Sequence, residues 1–362
     1  MNKEKMKNFL NKFLKFITKF PVMVILAILI PSLVYTGIYL FRPHEIYNNY
    51  YNFGNYLPVN YETFEITEIK PVMEVYSASY VKNYQGGTCY ENYYVNCSDN
   101  FDALVVYNMD KNKVEHIIKT NQRNTLYHCN QIFFGYDFFN SGDKFPILYI
   151  SMENEAIHST IGYRIYEKAG SYVIEQLTKL TLVFDAPDSK LYFPNSYIDY
   201  DEGFLYYGGY TKKSYMKSAD NKLKYYVFYM PDYRTNHVEL NTSEAIYSFE
   251  LPSETATQGG FISDGHLVET FSFNNKPKDN PERTPRMRVV DLDTQATYED
   301  DYYEKLVKRK PKVIKEYLDL GATFGVYDEF ENIAVSNDGR LFGHGNIGFK
   351  IYEFKYSSSF DN

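Results

Sequence analysis

Two stretches with one shared pattern decide the fold: QGGTCYENYYV at residues 85–95 and QGGFISDGHLV at residues 258–268. In both, Gln-Gly-Gly opens a run of strand-forming residues. A two-residue turn follows, Glu91-Asn92 in the first stretch and Asp264-Gly265 in the second, and a second run then ends in Val. Runs joined in this way predict a β-hairpin. A hairpin that recurs with the same opening residues indicates an internal repeat.

The repeat extends beyond these hairpins. A third strand follows each of them, VVYNMDKNK from Val105 and RVVDLDTQA from Arg288. Weaker copies of the unit open at residues 128–134 (HCNQIFF), 195–210 (NSYIDYDEGFLYYGGY) and 332–345 (NIAVSNDGRLFGHG). The chain therefore holds five units of about 60 residues, each read as four antiparallel strands. Such units must stack to bury their faces, which predicts an all-β fold, a five-bladed β-propeller.

Closure of the ring sets the limits of the propeller domain at residues 61–362. The last unit ends on a third strand, IYEF (351–354), and residues 61–69 (YETFEITEI) form an orphan strand that can supply its fourth. Closing the ring in this way removes exposed strand edges. Two alternatives stay open. Residues 64–80 could begin a sixth blade, and the same strands could form a β-sandwich.

The N-terminal region predicts a membrane anchor. Residues 21–41 carry no charge over 21 residues, long enough to cross a bilayer core as a helix. Six lysines in residues 1–20 predict a cytoplasmic tail by the positive-inside rule, which places the C-terminal domain outside the cytoplasm, on the periplasmic side of the inner membrane in a Gram-negative cell. Residues 42–60 are interpreted as a linker. A cleaved signal peptide or a buried core helix are the weaker alternatives, because the apolar run is long and lacks a small-residue cleavage site.

Charge and cysteine content narrow the possible partners. Residues 1–44 carry a net charge of +6, so the −8 of the whole chain leaves −14 for the remainder. A body this acidic excludes nucleic acid as an expected partner. Three cysteines leave at least one thiol unpaired. A Cys89–Cys97 bridge is conceivable across the first hairpin, although the turn at Glu91-Asn92 would set Cys89 opposite Tyr94 instead.

One segment departs from the strand pattern. Residues 299–320 (EDDYYEKLVKRKPKVIKEYLDL) place acidic residues first and basic residues later, the order that favours a helix dipole. The segment predicts a small helical insertion between the fourth and fifth blades, divided by Pro311.

Candidate ligand-binding residues follow from the architecture. Propellers arrange their innermost strands around a central channel, and ligands bind at its mouths. The polar residues that open the units are therefore the candidates for binding: Gln85, His128, Asn130, Asp199 (or Asn195) and Gln258. A structural role competes with this interpretation, since Gln-Gly-Gly also suits strands that approach closely.

The sequence predicts no cofactor and no metal site. The histidines are scattered, and neither Cys-x-x-Cys nor His-x-x-x-His spacing is present. His128 and Cys129 are adjacent on a strand and should point to opposite faces, so they do not form a nucleophile and base pair. Cys129 is interpreted as a buried core residue.

Two resemblances add to this picture. TQGGFISDGHLVETFSF (257–273) followed by RVVDLDT (288–294) resembles one blade of the glutaminyl cyclotransferases, which are five-bladed propellers. The resemblance implies a catalytic glutamate at Glu269, the only catalytic candidate in the chain. The layout as a whole is similar to uncharacterised envelope propellers of Bacteroidetes-type bacteria, in which His-Cys-Asn likewise precedes a strand like KFPILYIS (144–151).

Three functions remain. The first is a membrane-anchored module that binds a protein, peptide or glycan ligand without catalysis. The second is a propeller enzyme, either glutaminyl-cyclase-like or glycan-active. The third is a passive subunit of an envelope complex. An enzyme should bring ionisable groups with shifted pKa values to one channel mouth, whereas a binding module should bring amide and aromatic side chains there.

Overall fold

The computed structural model describes residues 56–78, 83–120, 128–154, 157–185, 190–212, 221–252, 257–271, 285–292, 297–298, 306–308 and 311–359. The predicted tail, anchor and most of the linker (1–55) lie outside the described residues. Within the described ranges, no helix has the length and apolar character needed to cross a bilayer.

Five antiparallel sheets form the blades of a propeller, as the repeat predicted. Blade one contains β2 (Tyr84–Tyr90), β3 (Tyr93–Ser98), β4 (Ala103–Asn108) and β5 (Lys113–Lys119). Blade two contains β6 (His128–Phe134), β7 (Leu148–Asn154), β8 (Ile157–Lys168) and β9 (Ser171–Val183). Blade three contains β10 (Tyr192–Asp199), β11 (Phe204–Tyr210), β12 (Lys222–Tyr229) and β14 (Tyr247–Pro252). Blade four contains β15 (Thr257–Ser263), β16 (His266–Phe271), β17 (Arg286–Asp291) and β20 (Lys312–Asp319). Blade five contains β21 (Ala334–Val335), β22 (Leu341–Gly345), β23 (Lys350–Ser357) and β1 (Glu65–Glu74). The first strand named in blades one to five is the innermost one.

The inner strands close a ring. Contacts run from β2 to β6, β10, β15 and β21 and back to β2. One small cavity of about 10 Å³, room for roughly one water molecule, is lined from every blade, by Thr88, Gln131, Tyr197, Gly260 and Ala334 among others. The five inner strands therefore surround a single, nearly filled axis.

The ring closes through the strand that the sequence left over. β1 pairs antiparallel with β23, with Glu65 opposite Ser357 and Glu74 opposite Lys350. Among the described residues, the first and last strands thus belong to the same blade, as predicted. A sixth blade starting at residues 64–80 is ruled out, because most of that stretch is the outer strand of blade five.

Buried residues form the core between neighbouring blades. One apolar cluster joins blades one and two, another blades three and four, another blades four and five, and a further one blades five and one. Tyrosine supplies much of this core: Tyr94, Tyr107, Tyr206 and Tyr225 are fully buried. The abundance of tyrosine therefore reflects packing between blades, since an aromatic ring buries a large area.

The predicted helical insertion is wrong. β20, from Lys312 to Asp319, pairs with β17 as the outer strand of blade four, and Leu306–Lys308 forms the strand β19, which pairs with β18 (Thr297–Tyr298). Helix α1 is confined to Leu320–Phe324, capped by Asp319 and ended by Gly325 in the left-handed region. Pairing with the edge of β17 also packs Ile314 and Leu318 against the core between blades four and five, so tertiary context overrides the charge order.

A crossing between blades also lies outside the repeat. β13 (His237–Asn241), between β12 and β14 of blade three, pairs in parallel with β9 and becomes a fifth strand at the edge of blade two. A 3₁₀ turn, Thr242–Glu244, follows it. This crossing links the outer edges of two blades.

The cysteine pairing differs from the one considered. The disulfide joins Cys97 on β3 to Cys129 on β6, and Cys89 is a free, buried thiol. Cys89 lies opposite Tyr94, as the two-residue turn predicted, so it is out of reach of Cys97. The interpretation of Cys129 as a simple core residue is therefore incomplete, because it ties blade one to blade two.

Candidate functional site

The inner strands of blades one to four share one structural feature, a bulge at the polar residues that open their units. The strand register shifts between Tyr84 and Gly87, Cys129 and Gln131, Tyr192 and Asn195, and Thr257 and Gly260. A bulge places extra residues on one strand and redirects their side chains. The repeated Gln-Gly-Gly pattern is thus the sequence mark of a bulge at one mouth of the channel, here called the polar mouth.

Side-chain amides connect the blades at the polar mouth. Asn130 of blade two donates to Asn195 of blade three, whose own amide donates to the Gln258 carbonyl of blade four over 3.4 Å. Gln131 donates to the Gly260 carbonyl at 2.8 Å, and Asn332 of blade five donates to the Gly87 carbonyl. These amides hold the ring together, the structural role that competed with ligand binding.

Gly86, in the first Gln-Gly-Gly stretch, lies where a side chain would collide with the next blade. A Cβ on Gly86 would lie 2.9 Å from the backbone nitrogen of Ile132, on the neighbouring inner strand. Side chains cannot occupy that space, so the glycine permits the close approach of blades one and two. Gln85 itself is buried and Gln258 is half-buried, and both lie at the polar mouth.

Four carboxylates converge at the polar mouth. Asp328, Glu329 and Glu331 lie on the segment that leads into β21, and Asp99 lies in the turn after β3. Asp328, Glu329 and Glu331 are at most 4% exposed. We call these four residues the acid cradle.

Asp328 has a structural role within the cradle. Its carboxylate accepts hydrogen bonds from the backbone N–H groups of Glu329, Ile347 and Gly348, and from the Tyr352 hydroxyl at 2.7 Å. Several donors on one carboxylate satisfy its charge well. It therefore fixes the loop between β22 and β23 against the mouth.

Glu329 and Glu331 are less well satisfied. Burial raises the pKa of Glu329 to about 7, with Asp328 raising it further and His128 opposing. Burial and the charges of Glu329, Asp99 and Asp328 hold the pKa of Glu331 well above its usual range. Glu331 Oε1 accepts from Asn346 at 2.6 Å, whereas Oε2 has no hydrogen-bond partner among the described residues.

His128 joins the cradle from blade two. Its Nδ1 contacts a carboxylate oxygen of Asp99. The adjacent disulfide, Cys97–Cys129, and a hydrogen bond from the Cys129 backbone to the Asp99 carbonyl fix the two residues together. The structure therefore brings His128 to the same mouth as Gln85, Asn130 and Gln258.

Asp199 does not join this group. It is the last residue of β10, opposite Phe204, whereas the polar mouth lies at the other end of that strand. Its Oδ1 accepts the backbone N–H groups of Asp201 and Glu202, as a turn-forming aspartate does. The alternative from the same unit, Asn195, is the residue that lies at the polar mouth.

Glu269 is buried between blades three and four. It is 0% exposed, accepts from Arg288 Nε at 2.7 Å, and lies within 3.3 Å of the Tyr225 hydroxyl. Arg288 also donates to the Pro252 carbonyl at 2.6 Å and stacks over Phe271. This arrangement is that of an interior ion pair, and a substrate could reach the carboxylate only by displacing packed side chains.

Sequence reasoning missed Glu329 and Glu331. The signal was present, because the acidic stretch Asp-Glu-Phe-Glu (328–331) ends directly before Asn332, the polar residue that opens the fifth unit. The repeat pattern begins the fifth unit at Asn332, and the acids precede that point. Within the described residues, no three potential ligands are placed to hold a metal ion.

Comparisons with known proteins give matches among solved structures alone. No protein-family model matches the sequence, and no curated protein matches it. Among solved structures, glutaminyl cyclase from Myxococcus xanthus is similar at 10% identity and a TM-score of 0.37, covering 82% of this chain and 97% of that one. A structural genomics protein of unknown function from Bacteroides thetaiotaomicron is similar at 11% identity and a TM-score of 0.37, covering 82% and 76%.

A third similar structure is the PQQ-bound aldose sugar dehydrogenase from Streptomyces coelicolor, at 7% identity and a TM-score of 0.44, covering 82% of this chain and 99% of that one. Similarities at this level say nothing about activity. The assignment of the propeller rests on strand pairing and ring closure in this chain.

Proposed function

We propose that this protein is a membrane-tethered, extracytoplasmic propeller that binds a ligand at its polar mouth. One observation carries the proposal: the five blades bring buried amide and carboxyl side chains to the same end of the channel. Buried polar groups are costly unless they are paired, and a set with spare hydrogen-bonding capacity at a mouth is suited to a ligand. The cavity behind them is nearly filled, so the ligand would lie at the mouth.

The tether and the compartment rest on separate observations. The uncharged stretch 21–41 after a lysine-rich tail supports a single span with the body outside the cytoplasm. The Cys97–Cys129 disulfide agrees with that placement, since disulfides persist in oxidising compartments. Protease added to intact spheroplasts should remove the body. If the body stays intact until the cells are lysed, the topology is wrong.

Hydrogen exchange on the full chain in detergent tests ligand binding. We expect peptides or neutral oligosaccharides that bind to protect residues 83–87 and 328–332. Gln85→Ala should weaken that protection, and Gln176→Ala, on the exposed face of β9, should not. Protection confined to the outer strands or to the opposite mouth would refute the proposal and favour a passive envelope subunit.

An enzyme is the second candidate, and one observation favours it. Glu329, with a pKa of about 7, is suited to general acid–base catalysis because such groups work best near the operating pH. The relevant carboxylate would then be Glu329 and not Glu269. Incubation with peptides that begin with glutamine, followed by mass spectrometry, tests cyclase activity. Turnover that survives Glu329→Gln but is lost in Glu269→Gln would instead assign catalysis to Glu269.

A further inference from the structure

We propose that the acid cradle, formed by Asp99, Asp328, Glu329 and Glu331, recognises a primary ammonium group. The inference rests on the proposed binding function and names the chemical class of the ligand. An ammonium group carries one positive charge and three hydrogen-bond donors in a small volume. The cradle offers the complement, since its four carboxyl groups supply acceptors and, once ionised, negative charge.

The charges within the cradle do not balance. Within the described part of the chain, His128 is the only basic side chain in an ion pair there, and its partner is Asp99. Asp328 is satisfied by backbone N–H groups and a tyrosine hydroxyl. Neither Glu329 nor Glu331 forms an ion pair with a described lysine or arginine. Burying carboxylates without a counter-charge is unfavourable, and a cationic ligand would relieve that cost.

The cradle and its surroundings contain buried oxygen atoms that lack a hydrogen-bond partner among the described residues. Glu331 is 1% exposed, and its Oε2 has no hydrogen-bond partner among the described residues. Gln131, which is also 1% exposed, likewise has an unpartnered Oε1. Gln131 Oε1 and the backbone carbonyl oxygen of Glu331 both lie beside Gly259, where a Cβ would otherwise stand. The polar mouth therefore has spare buried acceptors on two blades, which is what an N–H donor requires.

An apolar rim borders the cradle. Tyr327, Ile347 and Phe349 are 38%, 44% and 49% exposed, among the large apolar side chains that the described residues leave most open. Ile347 lies on the loop whose backbone binds Asp328. The occupant should accordingly carry an apolar or aromatic group next to its ammonium.

A metal ion fits the same residues less well. Within the described ranges, no three ligand side chains are placed to coordinate one ion. Calcium needs six to eight oxygen ligands at 2.3–2.6 Å, and several cradle oxygens are already engaged by N–H donors. An ammonium accepts this arrangement, because it needs only individual hydrogen bonds.

The proposal predicts a proton release. With a pKa of about 7, Glu329 is about half protonated in the empty cradle at neutral pH, and burial and the neighbouring acids hold the pKa of Glu331 well above its usual range. An ammonium favours their ionised forms, so its binding should expel about one proton at pH 7. The affinity should therefore rise with pH through this range, by up to about tenfold per pH unit. The groups that face the two glutamates are Asp99, Asp328 and His128.

Titration calorimetry on the full chain in detergent tests the proposal. The probe is 2-phenylethylamine, and its neutral analogue 2-phenylethanol is the control. We expect the amine to bind and the alcohol not to bind, and buffers of different ionisation enthalpy to report the released proton. Glu331→Gln and Glu329→Gln should each weaken binding at least tenfold. Glu239→Gln, which removes the same charge from the exposed face of β13, should leave binding unchanged.

Two further probes separate the natural sources of the ammonium. The tripeptide amide Phe-Ala-Ala-NH2 presents a chain terminus, and Nα-acetyl-lysinamide presents a side-chain amine. Binding of either one supports the inference and identifies the source.

Contrary outcomes are distinct. Equal binding of amine and alcohol, or no effect of either Gln substitution, would overturn the inference. Calcium binding without amine binding would also overturn it. If maltotriose protects the polar mouth from hydrogen exchange while no amine binds, the ammonium inference fails and the binding function stands. If none of these probes binds, the cradle is neutralised within the chain and both proposals fail for these ligand classes.

Discussion

Removing Arg288 should destabilise the propeller more than any single surface substitution. Arg288 and Glu269 are both 0% exposed and pair at 2.6 Å between blades three and four. Arg288→Met would leave the Glu269 carboxylate buried and uncompensated. Breaking a buried pair in this way costs about 3–5 kcal/mol, because the remaining charge keeps its desolvation penalty.

Replacing both members should cost much less. In Glu269→Met/Arg288→Met no charge remains, and the losses are hydrogen bonds to the Pro252 carbonyl and from the Tyr225 hydroxyl. Each is worth about 1 kcal/mol, so the double variant should lose about 2 kcal/mol. Glu269→Met alone leaves Arg288 buried and should also cost about 3–5 kcal/mol, so the double-mutant cycle should show a coupling of at least about 4 kcal/mol.

Urea unfolding of the full chain in detergent, followed by tyrosine near-ultraviolet circular dichroism, gives the required free energies. Arg234→Met, in an ion pair whose members are 75% and 47% exposed, is the control and should leave the midpoint unchanged. A coupling below about 0.5 kcal/mol would refute the reasoning. Glu269 would then be less tightly held than the structure indicates, and the catalytic interpretation would regain weight.

Three further perturbations have defined outcomes. Cys97→Ser should lower the free energy of unfolding by roughly 3–4 kcal/mol, because the disulfide closes a loop with a sequence separation of 32 and so restricts the unfolded chain. Reductant should cause the same loss in the wild-type protein, and Cys89→Ser, which keeps the disulfide, should remain sensitive to reductant. Gly260→Ala should cost about 1–3 kcal/mol because its Cβ would meet backbone atoms of the paired strand, whereas Gly142→Ala, with open space around it, should be neutral in the same urea assay. Burial lowers the pKa of His344 to about 3 from 6.5. On acidification the unfolded state therefore binds this proton first, and the stability of the wild-type protein falls as the pH drops from about 6.5 towards 3. His344→Asn should reduce that slope by up to about 1.4 kcal/mol per pH unit, and parallel pH profiles for the two proteins would contradict this.

The candidate site was predictable where the repeat marked it. Gln85, His128, Asn130 and Gln258 all lie at the polar mouth because inner strands in a propeller run in the same direction. Asp199 lies at the other end of its strand, and the sequence of its unit does not show which end it occupies. The acids before Asn332 were missed because their importance depends on residues distant in the chain, among them Asp99 and His128.

The sequence by itself determined the propeller, its five units and the use of residues 61–69 to close the ring, because hairpin turns and strand alternation are local patterns that repeat. Only the tertiary structure decided the pairing of Cys97 with Cys129, the strand at Lys312–Asp319 and the burial of Glu269 against Arg288. The disulfide depends on which residue lies across the boundary between blades one and two, and the other two features depend on which strands pair with β17 within blade four. Local propensity contains no information about these partners, which the pairing of strands and the packing of blades fix.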